Sequence, residues 1–363
     1  MTVYWHVDDL KISHEDEKEV TNVIEWLRGK YGELRVSRGK VHEYLGMTLD
    51  FTEKGKVKIG MKEFTLGMLE DFPDELRGYV ETPAGDSLFT VRPDDERQLL
   101  GEELAAVFHR FTAKLLFLAG RARRDIKVAV AFLSTRVKAP DTDDWNKLRR
   151  VLKYLKRNPS LPLTLEITDM SLISWWVDAS HGVHADFKGH TGGVMSLGKG
   201  AFMDQCNKQK HNTRSTTESE LVAVDEVMPK MIWAMHFLQG QGFETTTELH
   251  QDNMSTVRLE INGKRSSGQR TRHLNIKYFF VTDQIEKGWL HVRYCPTDEM
   301  VADINTKPLQ GELFRKMRAA VQNCPEDLPP EGASGDPAVA VCQAIMTHLT
   351  SLRGCVGGEG PGK

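Results

Sequence analysis

The sequence predicts an α/β protein whose main unit, over residues 167–320, is a mixed sheet with flanking helices. Three observations carry that reading. Short alternating runs broken by turn residues fill residues 1–60, apolar residues recur at helical spacing over 61–166, and from 167 onward strand patterns come first and then alternate with helix patterns.

The first elements are two strand runs, Thr2–His6 and Leu10–Ser13, on either side of Asp8-Asp9 at a turn. A helix follows over Asp16–Lys30, with Val20, Val23, Ile24 and Leu27 on one face and Ser13 with Asp16 as its start signal. Residues 33–59 alternate around Tyr44-Leu45-Gly46, as strands joined by a turn do. Helical spacing is clearest in Leu104–Ala119, Asp125–Lys138 and Asp143–Lys156, the last with Trp145, Leu148, Leu152 and Leu155 on one stripe. Pro140, Pro159 and Pro162 punctuate the region.

After residue 167 the order is strand (Ser171–Val177), a glycine-rich strand pair (Gly189–Met203), a long helix (Thr216–Gln239), strand (Glu248–His250), a short helix (Ser255–Ile261), a basic loop, helix (Leu274–Glu286), strand (Leu290–Tyr294) and a last helix near Val301. Trp175, Trp176, Trp233 and Trp289 lie in these elements and are assigned to the core. The segment 321–363 holds five Pro and seven Gly, a composition that predicts disorder.

Charge and cysteine usage narrow the function. Forty-eight Lys and Arg against 51 Asp and Glu leave a net charge of −3, so any electrostatic footprint is local. The five Cys show no metal-ligand spacing, which argues against structural zinc or a disulfide framework and fits a reducing compartment. No apolar run is long enough to cross a membrane, and the N-terminus lacks the apolar stretch of an export signal. The expectation is therefore no membrane association and residence in cytoplasm or nucleus.

Four carboxylates stand where the chain enters or leaves an element: Asp178, Glu220, Asp252 and Asp303. Each neighbours apolar residues and so belongs at the rim of a core. Gathering like charges there costs several kcal/mol per ion, roughly, unless cations neutralise them. Hard divalent ions with oxygen ligands do this, and a pair of them can clamp the attacking and leaving oxygens of a phosphodiester. Ser215-Thr-Thr-Glu218 fits a capping box, which assigns Glu218 to the helix start and leaves Glu220 to face inward. By spacing alone, four solvated acids among 51 remain the simpler reading.

Longer strings carry a resemblance. Val177-Asp178-Ala179-Ser180, His190-Thr-Gly-Gly-Val-Met, Ser215-Thr-Thr-Glu-Ser-Glu-Leu-Val-Ala, Gln251-Asp252-Asn253, the run from Arg270 to Val281, and the run from Tyr294 through Asp303 to Leu309 resemble the ribonuclease H domain that ends copia-type retrotransposon polyproteins. The resemblance implies a ribonuclease H-like fold and a metal-dependent endonuclease that cuts the RNA strand of an RNA–DNA hybrid. It places Asp178, Glu220, Asp252 and Asp303 at the family's metal-binding acids, with Mg²⁺, or Mn²⁺, as cofactor. Ser180-His181-Gly182 departs from the family's usual continuation after the first acid.

Upstream, Trp5-His6-Val7-Asp8-Asp9-Leu10 resembles the aromatic-x-Asp-Asp hairpin of reverse transcriptases, and Tyr44-Leu45-Gly46-Met47 a later strand motif of that family. The resemblance makes residues 1–60 a truncated reverse-transcriptase palm and 61–166 a helical thumb/connection region. Asp8 and Asp9 would then be metal ligands of the polymerase site, without its fingers or first palm strands. The expectation is no polymerase activity from this polypeptide alone, with other parts of the retrotransposon polyprotein as its partners.

For nucleic acid, the basic loop supplies Lys264, Arg265, Arg270 and Arg272, with His273 beside them; Lys208 and Lys210 form a second small cluster. Such groups grip phosphates without reading sequence. The rival expectation is a catalytically silent remnant or nucleic-acid-binding scaffold.

Overall fold

The computed structural model describes residues 1–263 and 275–331. Its first element is a hairpin of β1 (Thr2–His6) and β2 (Asp9–Ser13), with His6 opposite Asp9. The turn is therefore Val7-Asp8, with Val7 at φ 55°, and Asp9 is the first residue of β2 rather than part of the turn. Helix α1 (Glu17–Tyr31) starts where the Asp16 side chain accepts from the Lys18 N–H, and its last turn carries Arg28 and Lys30, as the helix dipole favours. Strands β3 (Val41–Tyr44) and β4 (Met47–Asp50) meet at Leu45-Gly46, both at positive φ, the two-residue turn that suits the strand twist.

Strand β5 (Lys56–Gly60) and helix α2 (Lys62–Glu70) lead into three core helices, α3 (Glu102–Ala119), α4 (Lys127–Arg136) and α5 (Thr142–Arg157). A full capping box between Asp141 and Asp144 opens α5. These helices bury Phe108, Phe111, Leu115, Phe132, Leu148 and Leu152 together.

Strand β6 (Leu163–Ile167) pairs with β5, opposing Val57 to Leu165, so the strand at the 166/167 junction belongs to the upstream sheet, and Gly198–Lys199 adds that sheet's edge by pairing with Glu166 and Ile167. The rest of the chain contributes β7 (Leu172–Ser180), β8 (His190–Ser196), the two-residue β9 (Gly198–Lys199), β10 (Met203–Lys208), α6 (Thr216–Gly240), β11 (Thr246–Gln251), α7 (Met254–Asn262), α8 (Asn275–Glu286), β12 (Leu290–Tyr294) and α9 (Gly311–Gln322). The sheet order is β10-β8-β7-β11-β12, antiparallel through β10, β8 and β7 and parallel from β7 to β12. Helix α6 lays Ala223, Val224, Val227 and Met228 over Ile173, Trp175 and Val177. This is the mixed sheet with flanking helices that the sequence predicts.

Four expectations change. The last helix near Val301 is a pair of 3₁₀ turns, Thr297–Glu299 and Val301–Asn305. Helix α9, absent from the sequence reading, packs Phe314, Met317 and Val321 into the core of the helical region. Residues 321–331 are ordered rather than loose, because Asn158 donates to the Pro329 carbonyl and Arg157 to that of Leu328; residues 332–363 lie outside the described residues. Trp233 is not core: it stands 60% exposed on the outer flank of α6.

Candidate active site

The strand register brings the first two acids together. Asp178 sits in β7, and β11 runs parallel to it with His250 opposite Trp176, so Asp252, two residues further on, emerges beside Asp178. Stacking of Trp176 on His250, centroids 4.7 Å apart, holds this register. Glu220 comes from the start of α6. There Ser215 caps the helix by accepting from the Glu218 N–H, while the Glu218 carboxylate accepts from the Arg214 N–H, which leaves Glu220 turned inward as expected.

Asp178, Glu220 and Asp252 each offer an oxygen within 4.8 Å of the others, the one such group of ligand-type side chains among the described residues. Asp178 and Glu220 are buried and Asp252 is half-buried. Burial, and then the charges of Asp178 and Asp252, push the Glu220 carboxyl well above its usual range, and its Oε2 is buried without a hydrogen-bond partner. Burial and Asp178 also raise Asp252.

Asp303, in the second 3₁₀ turn, adjoins this group: its carboxyl hydrogen-bonds with that of Asp178, and the two share Lys307, whose ammonium lies 2.7 Å from Asp303 Oδ1 and 3.4 Å from Asp178 Oδ2. Burial first and Asp178 second push Asp303 up to about 7, while Lys307 itself is raised to about 12. The two directions are compatible, because one ammonium between two carboxylates can neutralise only one of them. Thr306 adds a hydrogen bond from its hydroxyl to Asp178 Oδ2.

This close approach depends on Gly192, which is opposite Asp178 in β8. A Cβ there would sit 2.5 Å from Thr306 Cγ2 and 2.9 Å from the Ala302 carbonyl oxygen, so only glycine lets the 3₁₀ segment close on the sheet. Ser180, where the sequence departs from the family pattern, donates to the Thr306 carbonyl and ties the end of β7 to the same segment. Thr306 and Lys307 were missed as site residues, although both lie in the Asp303–Leu309 string that carried the resemblance.

The remaining sites are placed differently. Asp8 and Asp9 are exposed on the β1–β2 hairpin and gather no third ligand-type group among the described residues. Lys208 pairs with Asp186 at 2.8 Å, so its charge is partly used within the protein, and Lys210 is exposed. Lys264, Arg265, Arg270, Arg272 and His273 lie outside the described residues.

No protein-family model matches the chain. It is 26% identical over 324 residues to a Retrovirus-related Pol polyprotein from transposon RE2 of Arabidopsis thaliana, covering 87% of this chain and 21% of that protein. The RE1 polyprotein of the same plant is 26% identical over 327 residues, covering 88% and 21%. The Ty1-DR5 Gag-Pol polyprotein of Saccharomyces cerevisiae is 23% identical over 339 residues, covering 87% and 19%. The chain is thus a relative of copia-type retrotransposon Pol polyproteins over most of its own length, and it spans about a fifth of the length of these curated relatives.

Among solved structures, a ribonuclease H1 isolated from compost aligns at 18% identity with a TM-score of 0.28, over 37% of this chain and 91% of that one. A foamy viral protease-reverse transcriptase in complex with dsDNA aligns at 14% identity with a TM-score of 0.41, over 81% and 55%.

Proposed function

We propose that this chain is the ribonuclease H-bearing part of a retrotransposon Pol polyprotein and hydrolyses the RNA strand of RNA–DNA hybrids. The observation that carries the reading is the clustering of Asp178, Glu220 and Asp252 within 4.8 Å, with one buried carboxylate oxygen left unpartnered. That donor set is all oxygen, which suits Mg²⁺ or Mn²⁺. Such ions, when bound, would make a hydroxide nucleophile from water and stabilise the leaving 3′ oxygen.

The chain's own residues have separable tasks. Asp178 and Asp252, side by side on parallel strands, and Glu220 above them would hold the ions. Thr306 fixes the Asp178 carboxylate by donating to its Oδ2. Lys307 offsets one negative charge and holds Asp303 down against the burial and the Asp178 charge that raise it. Lys210 and the basic loop around Arg270 would meet the phosphates of the hybrid.

The test is Mg²⁺-dependent cleavage of a labelled RNA–DNA hybrid by the full chain, with Asp252→Asn as control. Cleavage by the parent chain and loss in the variant is the expected result; equal rates in both would remove the proposal.

A further inference from the structure

Where the helical region meets the second sheet, a cleft of about 530 Å³ opens, its partly apolar wall carrying Arg124, Lys127, Asp204, Lys230 and Trp233. Its charges do not balance. Buried Asp204 accepts from Arg124 at 2.7 Å and from Lys127 through the same oxygen. The third cation, Lys230, makes no ion pair among the described residues, and partial desolvation of its stem, then the charges of Lys127 and Arg124, lower its ammonium. One carboxylate therefore faces three cations.

The mouth of the cleft is aromatic. Trp233 is 60% exposed and stacks on Phe237, also exposed, with centroids 5.5 Å apart and planes 15° from parallel. Core packing does not account for an indole turned to solvent. An uncompensated cation cluster beside an open aromatic face is the chemistry that recognises a phosphate next to a flat base. A base stacked inside a duplex cannot present its face to an indole, so the base has to be unpaired. An acidic peptide would satisfy the cations and leave the indole unused. The cleft is also distinct from the acid cluster, since Lys230 lies about 15 Å along α6 from Glu220 at the helical rise of 1.5 Å per residue.

We propose that this cleft binds a nucleotide of single-stranded nucleic acid, with the phosphate among Lys230, Lys127 and Arg124 and the base on Trp233. Fluorescence anisotropy of a short labelled oligo(dT) with the full chain tests it, in EDTA and on an Asp252→Asn background so that binding is read apart from turnover. Lys230→Gln and Trp233→Ala are the variants, because both side chains reach solvent and neither takes part in the Asp204 pairs. Each is expected to weaken binding about tenfold, without lowering the melting temperature and without slowing blunt-hybrid cleavage on the parent background. Unchanged affinity in both variants would overturn the proposal. So would polyglutamate competing as well as oligo(dT) with Trp233→Ala silent, which would assign the cleft to acidic peptide. A parent chain that does not cleave hybrid but loses oligonucleotide binding in both variants would refute the nuclease reading and leave this one standing.

Discussion

Asp125 and Glu220 are both buried carboxylates, yet the protein treats them in opposite ways. Asp125 receives two hydrogen bonds from the Arg123 guanidinium, at 2.9 and 2.8 Å, and a third from the Tyr154 hydroxyl, so its carboxyl stays below the usual range despite full burial. Glu220 faces Asp178 and Asp252 with Lys307 as the nearby cation, and is raised. The first arrangement is closed within the protein. The second carries negative charge that its own side chains do not offset, and that imbalance is what would draw a cation.

The largest effect that would sharpen this contrast is on catalysis. Asp252→Asn should lower hybrid cleavage by roughly a thousandfold, the several kcal/mol that an ion-clamped transition state draws on. Removing a like charge should at the same time leave the metal-free chain at least as stable at pH 8. A lower melting temperature in that variant would show that Asp252 is there to hold the fold.

Asp125 should answer in the opposite sense. Asp125→Asn leaves the Arg123 guanidinium buried without its anion and should cost about 3–5 kcal/mol of stability, the scale of a broken buried pair. Denaturant unfolding measures this; a change below 1 kcal/mol, roughly the worth of an exposed pair, would break the comparison.

Gly192→Ala should destabilise by about 1–3 kcal/mol as an overpacked contact, and should slow cleavage because Thr306 and Lys307 move with the displaced segment. A variant with parent activity would show that the 3₁₀ segment is not needed at the site.

The smallest effect is on pH dependence. Glu220 and Asp303 are raised by folding, so in the metal-free chain they contribute stability that is fully present at the low pH where unfolded carboxyls are protonated. That contribution is lost as pH rises through their folded values, about 7 for Asp303. Measured against a Glu220→Gln, Asp303→Asn double variant, which cancels the opposite slope from the buried His184 and His190, the melting temperature of the metal-free parent should therefore fall between pH 5 and pH 8 by about a few degrees, the shift expected of ~1–2 kcal/mol. Mg²⁺ should restore it at pH 8 and change little at pH 5. A parent melting temperature that rises relative to that double variant over this interval in EDTA would contradict the assignment.

Much of this was legible in the sequence because it is local. The stripe of Trp145, Leu148, Leu152 and Leu155 gave α5, and the Ser215-to-Glu218 cap separated Glu218 from Glu220. Convergence of the acids was not, since it rests on β7 and β11 pairing across some seventy intervening residues. Helix α9 hides for the same reason: Phe314, Met317 and Val321 share a face, but the core they enter lies in the helical region far upstream. Trp233 misled because an indole in an apolar helix reads as packing until the neighbouring elements show which flank is open. Gly192 was visible only as one of a glycine pair, and its role depends on a segment more than a hundred residues away.

The most direct test is a calorimetric titration of the full chain with Mg²⁺ or Mn²⁺ at pH 8, alongside an Asp178→Asn, Glu220→Gln double variant. Saturable uptake by the parent chain that disappears in the double variant is the predicted result. No uptake by the parent, or equal uptake by both chains, would contradict the claim that these carboxylates are gathered to hold divalent cations.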